Sequence, residues 1–300
     1  MNYLITGGTG LIGAVICRQL QAAGHTVIVL SRNRNKVHQR CGLSAVAIEH
    51  LSEIGHTEQV DMVINLAGAP VADARWTQKR KTLLEQSRIG LTQQLVEWIA
   101  LRNKKPLCLI SGSAVGWYGN QGDTLLTETS SYHDEYAHQL CDKWEQAALK
   151  AEDYGVRVCL VRTGLVIARD GGFIQRMLLP FKLGLGGRIA DGQQYMPWIH
   201  LTDIAHLFIF LSKTPEAKGV FNGTAPTPVT NSIFTQMLAK TLHRPALLPV
   251  PACLLTLALG EMSELLLGGQ RALPAKAQAI GFEFYYTELQ EALDITLKQA

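Results

Sequence analysis

The sequence predicts an α/β fold, with a doubly wound, mainly parallel sheet and a smaller C-terminal substrate region. Three observations predict it. Short apolar runs rich in β-branched residues alternate with stretches of helical spacing, the pattern of successive β–α units. A cluster of glycines separates the first apolar run from the first helical stretch. After residue 168 the pattern loosens, and Gly171, Gly172, Gly184, Gly186, Gly187 and Gly192 punctuate a long connection of the kind that covers a substrate. With 300 residues, 47% of them hydrophobic, the chain can bury a substantial core as one large domain or two smaller ones.

The first unit is the most explicit. "NYLIT" reads as a buried strand, and "LIGAVICRQLQAAG" as a helix with Ile12, Val15, Ile16 and Leu20 along one face and Gly24 ending it. "TVIVL" then reads as a second buried strand. In such a βαβ unit Gly7 permits the tight turn out of the strand. Gly10 lets the backbone approach a pyrophosphate, and Gly13 lets the helix pack closely on the sheet. The helix N-terminus supplies unpaired N–H groups and partial positive charge. An idle glycine turn is the alternative. At the end of the second strand stand Ser31 and Arg32, with no acid until Glu49. A carboxylate there would accept from the ribose 2′-hydroxyl of NAD; a guanidinium grips a 2′-phosphate. NADP(H) is therefore expected, with Ser31 as a helper donor, unless Arg32 is merely a surface residue.

"DMVINLAGAP" (61–70) is another buried strand ending in small residues, so Asn65 to Gly68 should pass close to the cofactor. "KRKTLLEQSRIGLTQQLVEWIA" places Leu84, Ile89, Leu91, Leu95 and Ile99 near helical spacing. "PLCLISGSA" (106–114) is a strand closing on two serines, and "VRVCLVRTGLVI" (156–167) is one more. The expected division is a nucleotide-binding unit over 1–167, joined by a returning strand near 219–224, and a substrate-covering region over 168–300.

Composition excludes other classes. A net charge of +3 is small, and the short clusters Arg32, Arg34, Lys36 and Lys79, Arg80, Lys81 lack interleaved aromatics, so no nucleic-acid partner is expected. The apolar start has no basic n-region. The longest late apolar stretch, "ACLLTLALG", is about half the length that spans a bilayer, and no membrane partner is expected. Six cysteines form no CxxC pair, and four lie inside apolar runs, which suits buried thiols in a reducing, cytoplasmic setting. Nine histidines show no metal-ligand pairing, so no metal is expected. Oligomeric state is not legible.

"TGGTGLIG", "NLAGAP", "ISGSAVGWYG" and "MPWIHLTDIA" together resemble an extended short-chain dehydrogenase/reductase. More narrowly, "RWTQKRKTLLEQSRIGLTQQLV", "LLPFKLGLGGRIADGQQYMPWIH", "HRPALLPVP", "LLLGGQRALP" and "GFEFYYTELQEAL" resemble YfcH-type members of the epimerase/dehydratase family, over essentially the whole chain. The resemblance implies an NAD(P)-binding Rossmann-like domain, NADP(H), and a small-molecule substrate that it does not identify. It places Thr9, Gly10, Leu11 and Ile12 at the pyrophosphate, Ser31 and Arg32 at the adenosine phosphate, and Leu66 and Ala67 beside the cofactor. Arg88 stands where many of the wider superfamily carry Asn, and Val166 falls near the nicotinamide. A plain helix-surface role for Arg88 stays open.

The wider superfamily works with Ser or Thr and a Tyr-x-x-x-Lys pair, in which Tyr exchanges a proton and Lys lowers its pKa. Here the helix reads "EYAHQLCDKWEQAALKAE", and alignment through Trp144 and Glu145 puts Ala137 and Cys141 at those positions. Tyr136 is adjacent but about 100° around the helix. Three readings are open. Ser113 remains the oxygen-binding residue with Tyr118 as substitute acid/base; Cys141 is a catalytic thiol; or the protein is an NADP(H)-sensing binder with little conventional redox chemistry. His200 and Asp203 in "WIHLTD" either orient a ligand or cap the next helix, with Thr202 or Asp203 as the N-cap.

Overall fold

The computed structural model describes residues 1–298. Seven parallel strands form the main sheet: β1 (Asn2–Thr6), β2 (Thr26–Leu30), β3 (Val46–Ile48), β4 (Met62–Asn65), β5 (Cys108–Ala114), β6 (Arg157–Thr163) and β7 (Gly219–Gly223). Their spatial order is β3-β2-β1-β4-β5-β6-β7, so the winding reverses between β1 and β4. In an open α/β sheet that reversal opens a crevice at the strand C-termini.

Alternation along the strands splits the core in two. Tyr3, Ile5, Val27, Val29, Ile64 and Ile110 face one side, where they meet α1 (Leu11–Ala22), α2 (Arg34–Cys41) and α7 (Leu201–Lys213). Leu4, Ile28, Val63, Leu109 and Leu160 face the other, against Leu95 and Ile99. Each side chain of this kind that is fully withdrawn from water contributes ~1.5–3 kcal/mol. The seam of strands is hydrophobic on both faces, as a covered parallel sheet requires.

Three local departures from the expected elements have physical causes. The helical stretch after β4 is not uniform: α3 (Gln78–Glu85) and α4 (Leu91–Ala100) are joined by a π-helical turn, Gln86–Gly90. The run 156–167 breaks at Gly164, where a Cβ would lie 2.1 Å from the Pro197 carbonyl oxygen. Leu165–Ile167 therefore leaves the main sheet and pairs with Trp198–His200. Finally, the loosely patterned connection forms a helix, α6 (Gly172–Lys182). Between β5 and the break lies α5 (Tyr136–Leu149).

The later chain has its own apolar centre, where Trp198, Ile174, Phe181, Phe234, Leu238 and Leu293 pack together. Asp203 joins its C-terminal segment to α7, and Glu128 ties it to the first half. Asp203 accepts from the backbone N–H groups of Tyr285 (2.7 Å) and Tyr286 (3.1 Å), and Glu128 accepts from those of Asn222 and Lys276. Asp203 thus has a structural role, and the N-cap of α7 (Leu201–Lys213) is His200, not Thr202 or Asp203.

His200 Nδ1 accepts from the Thr202 N–H at 3.2 Å, which demands an unprotonated nitrogen. Burial lowers its pKa to about 4. Because the folded pKa lies below the unfolded one, the unfolded chain takes up a proton first as pH falls. Stability is therefore complete above about pH 6.5 and declines toward pH 4. Thermal melts should show this decline, and His200→Asn, which keeps an N-capping acceptor without a titrating ring, should flatten it.

Candidate nucleotide-binding crevice and catalytic face

The switch point is built from backbone that has been brought too close for side chains. Gly7 has φ +68°, and a Cβ there would lie 2.6 Å from the carbonyl carbon and oxygen of Leu66. A Cβ on Gly13 would lie 2.4 Å from the Gly7 oxygen. The glycine loop is thereby pressed between β4 and the first turn of α1. Gly10, the N-cap residue of α1, has no side-chain cap, so the N–H groups of the first turn remain open toward the crevice. Replacing Gly13 with Ala is expected to push α1 off the loop. Both nucleotide affinity in calorimetry and the melting temperature should fall.

A buried polar network fixes the strand ends around that loop. Thr6 Oγ1 donates to Asn65 Oδ1 at 2.7 Å, and Asn65 Nδ2 donates to Thr92 (2.8 Å) and Ser111 (3.0 Å). The Ala67 N–H donates to Thr6 Oγ1 at 3.2 Å, and Trp144 Nε1 donates to Thr92 at 3.0 Å. These bonds hold β1, β4, β5, α4 and α5 in one register at the site. Such fully satisfied networks specify geometry as much as they stabilise it.

The residues expected at the cofactor converge in part. Leu11 meets Gly171 and Gly172, whose Cβ positions would lie 3.2 and 3.4 Å from its methyl carbons, and Gly172 also lies 3.5 Å from the Val166 oxygen by the same measure. Val166 thus approaches Leu11 through Gly172, Leu66 and Ala67 lie against Gly7, and Ile12, Leu66 and Val166 pack on the same apolar cluster. Ser31 and Arg32 follow β2, next in the sheet to β1. Arg32 is exposed and has no ion-pair partner among the described residues, whereas Arg34 is neutralised by Glu49 (3.8 Å) and Glu53.

Arg88 lies in the π-helical turn, and its guanidinium lies against Gly68: a Cβ at that glycine would be 2.9 Å from Cζ. The guanidinium also faces the Trp144 ring at 5.4 Å. Burial lowers its pKa, and Arg80 nearby lowers it further. No carboxylate pairs with either arginine among the described residues, and Arg80 Nε is buried without a partner. The two neighbouring guanidinium groups thus leave positive charge beside Gly68 that no described carboxylate neutralises. Arg80, from the short basic cluster Lys79, Arg80, Lys81, belongs to this pair and also donates to the Pro70 carbonyl.

The helix positions where the wider superfamily carries its Tyr and Lys lie on α5. Ala137 and Cys141 are on α5 beside β5, as the alignment requires. Burial and Glu145 raise the Cys141 thiol to about 11, which leaves it protonated and argues against the catalytic-thiol reading. Tyr136 points to α3, its ring beneath Lys81 Nζ at 4.2 Å, and burial raises its pKa to about 12.

Tyr118 requires a correction. It is wholly buried, and its hydroxyl donates to Asn222 Oδ1 (2.8 Å) and the Thr127 carbonyl (3.0 Å). A hydroxyl whose proton is held in that way, on a side chain with no exposed surface, is closed to a ligand, so Tyr118 packs rather than exchanges protons. Ser113 is 5% exposed and donates to Glu145 Oε1 at 2.6 Å. Glu145 in turn receives a two-pronged Arg162, Nε to Oε1 at 2.9 Å and Nη2 to Oε2 at 2.8 Å. Burial opposes the Arg162 charge, but Glu145 outweighs it and the guanidinium pKa is raised. Glu145 and Arg162 were not singled out from sequence. Their signal was available: opposite charges inside an apolar helix face and a buried strand.

Comparison with known proteins places these features in a family. Residues 3–222 match the NAD dependent epimerase/dehydratase family, and residues 250–295 match DUF1731, a domain of unknown function. The Bacillus subtilis epimerase family protein YfhF is 38% identical over 298 residues, covering 98% of this chain and 97% of the relative. The chloroplastic SDR39U1 homolog of Arabidopsis thaliana is 37% identical over 299 residues, covering 98% and 86%. Among solved structures, human epimerase family protein SDR39U1 (isoform 2), crystallised with NADPH, superposes with a TM-score of 0.90 at 31% identity over the full length of both chains.

Proposed function

The chain belongs to the NAD dependent epimerase/dehydratase family, and from that premise we propose that it binds NADP(H) across the β1–β4 switch point and acts as an oxidoreductase or epimerase on a small metabolite. The observation that carries this reading is the backbone cradle, in which a Cβ at Gly7 or Gly13 would strike main-chain atoms at 2.6 and 2.4 Å. The related human protein crystallised with NADPH supports the phosphorylated coenzyme.

In this reading the first-turn N–H groups of α1, with Thr9 and Gly10, receive the pyrophosphate. Ser31 and Arg32 hold the 2′-phosphate. Leu66, Ala67, Gly68 and Val166 flank the sugar and ring, and Arg88, which donates to the Leu84 carbonyl but has no carboxylate partner among the described residues, offers its guanidinium to an oxyanion in the crevice. When bound, the coenzyme supplies hydride exchange at its nicotinamide ring. Ser113 donates to Glu145, which leaves the serine lone pairs to accept from a substrate hydroxyl. The buried thiols, none of them in a disulfide among the described residues, support a reducing compartment and hence the cytoplasm.

A second reading, an NADP(H)-sensing binder, draws on the alanine and cysteine at the usual acid/base positions and on the sealed Tyr118. Calorimetry with NADPH and a metabolite panel separates the two. Binding with turnover that Ser113→Ala abolishes, at unchanged NADPH affinity, supports the enzyme. Binding without turnover supports the sensor, and absence of NADPH binding defeats both.

A further inference from the structure

Two stretches, 173–190 and 217–260, contain no aspartate or glutamate, although arginines and lysines recur through both. The structure lays them side by side. Arg244 Nε donates to the Lys182 carbonyl at 3.1 Å, and the Val250 N–H donates to the Arg188 carbonyl at 2.8 Å. From this doubled segment leucines project into solvent: Leu247 is 82% exposed, Leu179 67%, Leu183 64% and Leu185 57%. After α8 (Asn231–Leu242) comes α9 (Ala252–Leu259), in which no residue is buried and Leu257 is 77% exposed. Its sequence, "ACLLTLAL", has no charged group at all.

A folded protein seldom leaves so many large apolar side chains together in water without an occupant for them. Charge selects the occupant. Lys182, Arg188 and Arg244 are exposed among the leucines and have no acidic partner among the described residues. A second copy meeting this face by a two-fold axis would set cations against cations, because the two stretches hold no carboxylate. An anionic bilayer accepts both features, with leucines in the acyl boundary and cations at the phosphate level. At eight residues, α9 is far too short to cross a bilayer, and no helix among the described residues is long and apolar enough to do so. We propose that this face adsorbs to an anionic lipid surface, the protein resting on the membrane rather than spanning it.

The test is flotation of the full chain with vesicles of phosphatidylcholine alone and with vesicles of equal parts phosphatidylcholine and phosphatidylglycerol. The expected result is flotation with the anionic vesicles only, reversed at about 0.5 M salt, where charges are screened beyond a few ångströms. Leu247→Ser with Leu257→Ser, and separately Lys182→Glu with Arg188→Glu, should each lower vesicle affinity at least about tenfold. All four positions are exposed, so melting temperature and NADPH affinity should hold, which separates this surface from the crevice. Failure to float with anionic vesicles overturns the proposal, as does flotation indifferent to both pairs of substitutions. Sedimentation equilibrium showing that the leucine pair turns a dimer into a monomer, without vesicle binding, assigns the face to a second copy and overturns it equally.

Discussion

Arg32→Glu is expected to lower affinity for NADPH by about a hundredfold while moving that for NADH by no more than about threefold. Two charge-assisted hydrogen bonds from a guanidinium to a phosphate account for that order of change, and the introduced carboxylate adds repulsion. The neighbouring geometry makes Arg32 the residue to test. Arg34 already spends its charge on Glu49 and Glu53, while Arg32 stands exposed at the end of β2 with none. Arg34→Glu should therefore disturb the α2 surface and leave coenzyme preference nearly intact. Competitive calorimetry with the two coenzymes on both variants checks the pair. Equal losses at the two positions would mean that the preference is a general effect of surface charge, and an unchanged preference in Arg32→Glu would remove 2′-phosphate recognition from this residue altogether.

The parts of this site that were legible in sequence are those where one local rule acts alone. The first βαβ unit shows because apolar period, glycine spacing and helix termination agree over residues 3–30. Val46–Ile48 escaped notice because three residues with only Ile48 buried carry no period. The break at Gly164 is invisible in an unbroken β-branched run; it is set by the approach of Pro197 from 33 positions later. The π-helical turn hides because one extra residue scarcely disturbs apolar spacing on either side of it. Tyr118 misled for the same reason as Gly164. Its aromatic, glycine-flanked context suits a pocket, but Asn222 and the Thr127 carbonyl, supplied by distant chain, close over the hydroxyl. The glycine turn is thus legible where contacts are local, and the surroundings of Tyr118 are not, because distant chain supplies them.

The largest effect on stability is expected from Glu145→Ala. It would strip a carboxylate from a guanidinium that is 3% exposed, and an uncompensated buried charge costs about 3–5 kcal/mol. For a chain of this length that corresponds to a fall of roughly 5–8 °C in melting temperature. The guanidinium cannot simply swing away, because Arg162 Cζ lies 3.4 Å from the centre of the Trp117 ring and Nη1 already lacks a partner. The double variant Glu145→Leu with Arg162→Met, which removes both charges at similar volume, should recover most of the loss. The same series separates packing from chemistry. If the pair serves only to join α5 to β6, the double variant regains stability and any turnover together. If Glu145 holds the Ser113 hydroxyl for a substrate, stability returns while turnover does not, and NADPH affinity stays level in both cases. A thermal melt and one turnover assay on three proteins decide between a buried ion pair kept for the fold and one kept for the serine.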